Sequence, residues 1–364
     1  MKEKYCLIVK TGEAEIRAIQ NSAPNVLQYL FPVIEITRGR SKTVNNITSA
    51  PFSNRLQKLK EAFKDMCVGI DITSSEALSS PEVDELYDPT DGYDNWFQFL
   101  MSLKKEGCFS EIVPTIVVNN EDEDFDDNLL GQVKSLTSEF STLIYRTSIE
   151  DDISCYEDLT LIKSYLDKKQ LIVVLDCGYT PQASYVNASE KCIARINNIK
   201  RIITQNITFV VTSTSFPDNI SDIGDNLTDE FNTTEVSLVN KVQDKCGSDI
   251  VYGDYGSISV KRNDNVVMAR GWIPRIDIPT GKSTFYFKQR RPKGTTAYSS
   301  TYINVANLVV KDPRFPYKLS NWGVRQVIEC AKGATPSSSP SFWISVRMCI
   351  HIEQQVLRLS RENS

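Results

Sequence analysis

Eight short runs of β-branched and apolar residues recur through the first 255 positions, each followed by a segment with apolar positions three and four apart. No other feature of the chain restricts its fold so tightly. The runs are Tyr5–Lys10, Phe31–Ile36, Cys67–Ile72, Ile112–Val117, Thr142–Arg146, Leu171–Asp176, Ile207–Ser213 and Asp249–Asp254. Between them lie helical patterns such as Leu56, Leu59 and Phe63, or Ile193, Ile196, Ile199 and Ile203. A run such as Leu171-Ile172-Val173-Val174-Leu175 is apolar in both phases of a strand, which suits a parallel sheet covered on both faces. Eight such units in about 250 residues match the size of a closed barrel. The expected fold is therefore α/β, a (β/α)8 TIM-barrel-like body with a basic, strand-containing C-terminal elaboration after the eighth strand. A doubly wound open sheet is the alternative, but Thr11-Gly12-Glu13-Ala14-Glu15 after the first run is a helix start and not a dinucleotide loop.

After Asp254 the rhythm changes. Gly256–Val260, Val266–Ala269 and Ser283–Lys288 read as short strands, punctuated by turns at Asn263-Asp264-Asn265 and Pro279-Thr280-Gly281. Helical patterns follow over Tyr302–Val310, Asn321–Cys330 and Phe342–Leu359. The expected organisation is a barrel body over 1–255, a basic strand-rich insertion over 256–318 above the barrel mouth, and helices over 319–364 packing on the barrel. One late helix should return as the eighth of the outer ring. Thr280-Gly281-Lys282-Ser283-Thr284 imitates half a phosphate-binding loop, but Ile276 stands where its first glycine belongs, so it reads as a hairpin turn.

Charge is divided unevenly along these parts. The net of −5 conceals seventeen Lys and Arg against six Asp and Glu from Gly256 to Ser364, a net of +11. The preceding residues carry 24 against 40, a net of −16. A basic segment either neutralises an acidic body or meets a phosphate-bearing or acidic partner. Arg270, Arg275, Lys282, Lys288, Arg290 and Arg291, interleaved with Trp272, Phe285, Tyr286 and Phe287, form the candidate phosphate or nucleic-acid surface. The same aromatics also suit the core of a small sheet. Nine scattered cysteines without CxxC spacing, no signal-peptide core and no long apolar stretch point to a cytoplasmic protein without a membrane span.

In a barrel, polar residues at strand ends are the first place to look for chemistry. Here they are Lys10, Glu35, Asp71, Arg146, Asp176, Ser213 and Asp254, with Tyr255 beside the last. Glu35, Asp176, Asp254, Lys10 and Arg146 are the candidate catalytic set. Glu35, Asp71 and Asp176 are candidate ligands for a hard cation, Mg2+ or Mn2+. Equally, these charges serve as salt-bridged pairs closing the barrel top. His351, the single histidine, falls on a C-terminal helix near the core, which weighs against a Ser-His-Asp triad. Cys177 follows Asp176 with no base in evidence and reads as a small buried hydrophobe. The acidic run Glu121–Asp127 reads as a solvated loop before a helix.

Several segments together resemble the beta family proteins, a family named from a phage protein. They are Tyr5 with Val9-Lys10 and Gly12-Glu13, Pro32-Val33-Ile34-Glu35-Ile36, Val174-Leu175-Asp176, Gly253-Asp254-Tyr255, and Phe342-Trp343-Ile344-Ser345-Val346-Arg347. The resemblance implies a protein of phages or of bacterial loci associated with phage defence, and assigns no reaction. Relatives carry an Asn-His or His-His pair near the end, where this chain has Met348-Cys349-Ile350-His351. The expected role is recognition of a phosphate-bearing ligand, nucleic acid or nucleotide, in a phage–host conflict system. Alternatives are a divalent-metal-dependent phosphodiester or nucleotide hydrolase, and a non-catalytic scaffold whose basic segment docks an acidic partner protein.

Overall fold

The computed structural model describes residues 5–40, 42–44, 47–150, 154–218, 227–261, 271–294 and 297–362. Its strands are β1 (Tyr5–Lys10), β2 (Leu30–Ile36), β3 (Lys42–Val44), β4 (Ile47–Ser49), β5 (Cys67–Ile72), β6 (Glu111–Pro114) and β7 (Thr142–Ser148). They continue as β8 (Gln170–Tyr179), β9 (Ile207–Thr214), β10 (Thr228–Asn232), β11 (Val251–Asp254), β12 (Arg275–Pro279) and β13 (Ser283–Lys288). Eight of these form one parallel sheet in the order β6-β5-β2-β1-β11-β9-β8-β7. Each strand therefore lies beside its successor among the eight, and the last, β11, returns to β1. The sheet's two ends meet at β6 and β7 through the Thr115–Ile144 bridge, with Ile116 N–H donating to Ile144 O at 2.8 Å. The result is a nearly closed barrel flanked by helices.

Alternation along each strand sorts side chains into two cores. Cys6, Ile8, Phe31, Val33, Val113, Ile144, Ile172, Val174 and Val210 fill the barrel interior. Leu7, Val9, Ile34, Ile70, Tyr145, Val173 and Val211 face outward and pack under the helices. Both phases are apolar because both faces are dry, as the composition of the runs implied.

The C-terminal elaboration has its own core. The antiparallel sheet β10-β13-β12 places Ile276, Ile278 and Phe285 against the helices Ser299–Lys311 and Trp322–Ala331. Pro340–Glu362 is the bridging helix. Trp343, Val346 and Ile350 join the small core, while Met348, Ile352, Val356 and Leu359 join the barrel's outer core. The same helix packs on the helix Glu13–Gln20 and on β1, the side where the outer ring needs its last member.

Three sequence expectations change at this level. Strand β10, within 1–255, pairs with β13, so the small sheet draws on both sides of the expected 255/256 boundary. The helices Ser299–Lys311 and Trp322–Ala331 cover the small sheet, so within 319–364 the barrel contact is made by Pro340–Glu362. Gly256–Val260 is irregular and not a strand: Tyr255 and Ile258 turn into the barrel interior. Gly256 makes this turn with φ +65°, and a Cβ there would lie 2.7 Å from the Met348 side chain. The expected strand Val266–Ala269 lies outside the described residues, as does Arg270. The Thr280–Ser283 segment is the expected hairpin turn, closed by Thr280 N–H donating to Ser283 O.

Candidate functional site

At the carboxyl ends of the barrel strands, register sets three charges side by side: Lys10 pairs with Glu35, and Glu35 with Asp71. Arg146, pointing inward from β7, is the centre of this group. Its Nη1 donates to Glu35 Oε2 at 2.9 Å and to Asp71 Oδ2 at 2.7 Å. Its Nη2 donates to Asp176 Oδ2 at 2.7 Å and to the Tyr255 hydroxyl at 3.0 Å, and its Nε donates to Asp176 at 3.1 Å. A guanidinium has five N–H donors, and all five are used here. Tyr255 in turn donates to Asp176. Backbone groups hold the outer oxygens: Ile72 N–H on Asp71 and Gly178 N–H on Asp176, each at 2.9 Å.

This group forms the floor of a cavity of about 1420 Å3. Lys10, Arg38, Thr73, Asn119, Asp158 and Lys261 are among the residues that line it. Lys10 is 5% exposed, and its Nζ stands 3.8 Å from Glu35 Oε2, beyond hydrogen-bond length, and 5.3 Å from the Tyr255 ring centre.

Burial by itself raises the pKa of a carboxyl, and neighbouring charge decides the outcome. For Glu35 the two cations Lys10 and Arg146 outweigh burial and hold it at about 2. For Asp71 burial wins over Arg146, helped by the negative charge of Glu35, and the pKa is raised. Because the folded pKa of Glu35 lies below its unfolded value, its stabilising contribution is complete above roughly pH 4.3 and is lost as the pH falls towards 2. That contribution is on the order of 2–3 kcal/mol. Urea unfolding between pH 2 and 5 should lose most of this slope in Glu35→Gln; an unchanged slope would place the acid-labile group elsewhere.

Of the residues singled out from sequence, Lys10, Glu35, Asp71, Arg146 and Asp176 come together in this one cavity. Asp254 does not. It pairs in register with Leu7 and Ser213, on the outward phase, and is fully buried under the C-terminal helix. There it accepts from Tyr5, Tyr252 and His351 Nε2, each at 2.6 Å, and from Gly256 N–H at 2.7 Å. Burial would raise Asp254, but His351 and the two tyrosines outweigh it, so the carboxyl is held low. Ser213 shares the outward phase.

The basic set of the elaboration also divides. None of Arg275, Lys282, Lys288, Arg290 and Arg291 lines the cavity. Arg275 is 9% exposed, ion-paired with Asp277 beside Arg347, and lies 4.3 Å from the Tyr286 ring centre. Lys288 and Arg291 lie over the rings of Tyr286 and Tyr298, while Lys282 and Arg290 are exposed. Phe285, with Phe287 packed beside it, serves the small core, while Tyr286, equally buried, lies on the other face of the strand under Arg275. Thr73, Asn119 and Arg38 line the cavity without a distinctive sequence motif. Tyr255, legible from its place next to a strand-end acid, is buried and takes part through its hydroxyl on Arg146 and Asp176.

The residues proposed for Mg2+ or Mn2+, Glu35, Asp71 and Asp176, surround the Arg146 guanidinium, which stands where a cation would. Among the described residues no group of three or more His, Cys, Asp or Glu is arranged to hold a metal ion. With its carboxylates committed to the guanidinium, the donor set does not fit a hard divalent cation.

Fold and site together define an α/β, barrel-like protein with a charge-lined mouth at its strand ends. The chain belongs to the Beta protein family, whose model matches residues 5–357. It is 23% identical over 359 residues to Protein beta of Enterobacteria phage P4, covering 97% of this chain and 92% of that protein. Among solved structures it is similar to the spore cortex-lytic enzyme SleL of Bacillus megaterium at 11% identity. That match covers 95% of this chain and 73% of the other, with a TM-score of 0.34. No described helix is long and apolar enough to cross a membrane.

Proposed function

We propose that this protein is a non-catalytic recognition component of a phage–host conflict system, and that the mouth of its barrel, read as a complete (β/α)8 barrel, binds a phosphate-bearing small molecule of nucleotide size. The observation that carries this reading is Lys10. Its side chain is 5% exposed, and its ammonium lines the cavity with its nearest carboxylate at 3.8 Å. An ammonium has three donors, and this carboxylate stands beyond hydrogen-bond length of it. An anionic oxygen entering the cavity is a suitable partner. Arg146, by contrast, has no donor left for a ligand, so it serves as the rigid base on which Lys10 and Glu35 are held. The cavity is larger than the usual range for small-molecule pockets, which leaves room for a base and sugar beyond the phosphate. The exposed cations Lys282 and Arg290 lie off this cavity, and they would matter only for a longer polyanion. The phage setting rests on family membership and on the phage relative.

The test is calorimetric titration and thermal shift with nucleoside mono-, di- and triphosphates on wild type, Lys10→Met and Lys10→Arg. Saturating ligand should stabilise the wild type by about 2.7 kcal/mol at a hundredfold excess over Kd. Lys10→Met should bind at least tenfold more weakly, and Lys10→Arg should retain most of the affinity. No shift with any nucleotide, or equal affinity in Lys10→Met, removes this reading and leaves the scaffold role, to be pursued by seeking a partner protein.

A further inference from the structure

The Sγ atoms of Cys177 and Cys192 lie 3.4 Å apart, both as free thiols. Cys177 is partly exposed at the mouth end of β8, and Cys192 is fully buried on the following helix, Tyr185–Ile202. We propose that these two residues are a modification site, forming a reversible intramolecular disulfide by exchange with a low-molecular-weight disulfide.

Three observations place the bond here. A disulfide needs its sulfurs about 2.05 Å apart, so closing the pair asks for little more than 1 Å of approach, within the reach of side-chain rotation and a small backbone shift. The backbone of β8 is already irregular at this point: its register with β9 shifts between Asp176 and Tyr179, and Gly178 takes φ +57°. The closed loop would span only the turn between one strand and its own helix, fifteen residues apart in sequence. The outward phase of Cys177 also separates it from the inward Asp176, so neither group obstructs the other.

The chemistry balances with glutathione disulfide as oxidant. The Cys177 thiolate attacks one sulfur of the oxidant, breaking its S–S bond and releasing one glutathione thiol. Cys192 then attacks the Cys177 sulfur of the mixed disulfide, releasing the second. The two cysteines give up two electrons and two protons, and the oxidant leaves as two thiols. The hydrogen bond to Cys192, together with burial, pushes the Cys177 thiol up, so exchange is slow at neutral pH and quickens in alkali. The product bears on the barrel mouth, because Cys177 stands between Asp176 and Gly178, whose N–H holds the Asp176 carboxylate.

The experiment incubates the full chain with glutathione disulfide at pH 8.5, blocks remaining thiols, and maps tryptic peptides by mass spectrometry without reduction. The expected product joins the peptide Gln170–Lys191 to the peptide Cys192–Arg195, and seven of the nine thiols remain outside the bond. In Cys192→Ser, Cys177 should stop at the glutathione adduct. Cys108, whose Sγ lies near the Glu106 carbonyl and which is half-buried like Cys177, is the internal reference for glutathione access. Glutathione retained on Cys177 of the wild type with Cys192 still free would overturn the proposal. So would both remaining unmodified when Cys108 has reacted. Neither result depends on whether the mouth binds a nucleotide.

Discussion

Arg146→Met is expected to destabilise the protein by about 3–5 kcal/mol at pH 7, because it leaves buried carboxylates without their counter-charge. Among the described residues Arg146 is the cation that pairs with all three of Glu35, Asp71 and Asp176, and once it is gone Lys10 remains, 3.8 Å from one of the three. The direction with pH follows from the same geometry. In the variant the carboxyls bind protons more readily folded than unfolded, so the variant recovers stability as the pH falls from 7 towards 5. Arg146→Lys keeps the charge but offers three donors in place of five, and should fall between the two, losing roughly 1–3 kcal/mol. Urea unfolding at pH 5 and pH 7 measures all three proteins. If Arg146→Met stays within about 1 kcal/mol of wild type at pH 7, the guanidinium is not what holds the barrel mouth.

The second large effect is expected at Asp254→Ala, on the opposite face of the same strand ends. Four buried donors, the hydroxyls of Tyr5 and Tyr252, His351 Nε2 and Gly256 N–H, would lose their common acceptor. Each unsatisfied buried donor costs about 1–3 kcal/mol before relaxation, so a total near 4 kcal/mol is expected. The loss should be local to the C-terminal helix, because His351 ties it to β1 and β11 through this carboxylate. Hydrogen exchange should rise over 346–360 and in β1 while β7 and β8 stay protected. Since the Asp254 pKa is held below its unfolded value, wild type shares this weakening on acidification. The contribution is whole above about pH 4 and is lost as the pH falls through the lower folded value. Uniform exchange across the barrel in Asp254→Ala would show that the helix is held by its apolar face and not by this cluster.

These two residues also separate what a strand's sequence carries from what it does not. Eight strands, and a charged residue at the end of six of them, were legible, because a parallel strand dry on both faces is a continuous apolar run that stops where solvent or a site begins. The phase of those runs was not legible. Asp176 and Asp254 each follow an apolar residue two positions back, Val174 and Tyr252, yet the first of these faces the barrel interior and the second the outer helices. With both phases apolar, alternation carries no sign of inside or outside, so Asp254 and Ser213 looked equivalent to Glu35. The basic excess of the last hundred residues was legible as a number only. Part of it is consumed locally, as Arg275 and Arg347 converge on Asp277 and Arg314 reaches Asp312 and Glu230.

The sequence by itself determined what each segment must bury and where along the chain its charges fall, because those depend on residue type and on spacing of two to four residues. Only the tertiary structure decided which charges meet. Tyr5 finds Asp254 across 249 residues, and Arg146 finds Glu35 across 111. Such partners are fixed by strand register and by the return of β11 to β1. A shift of one residue would turn every side chain of a strand to its other face, and burial on both sides leaves no local mark of which face was taken.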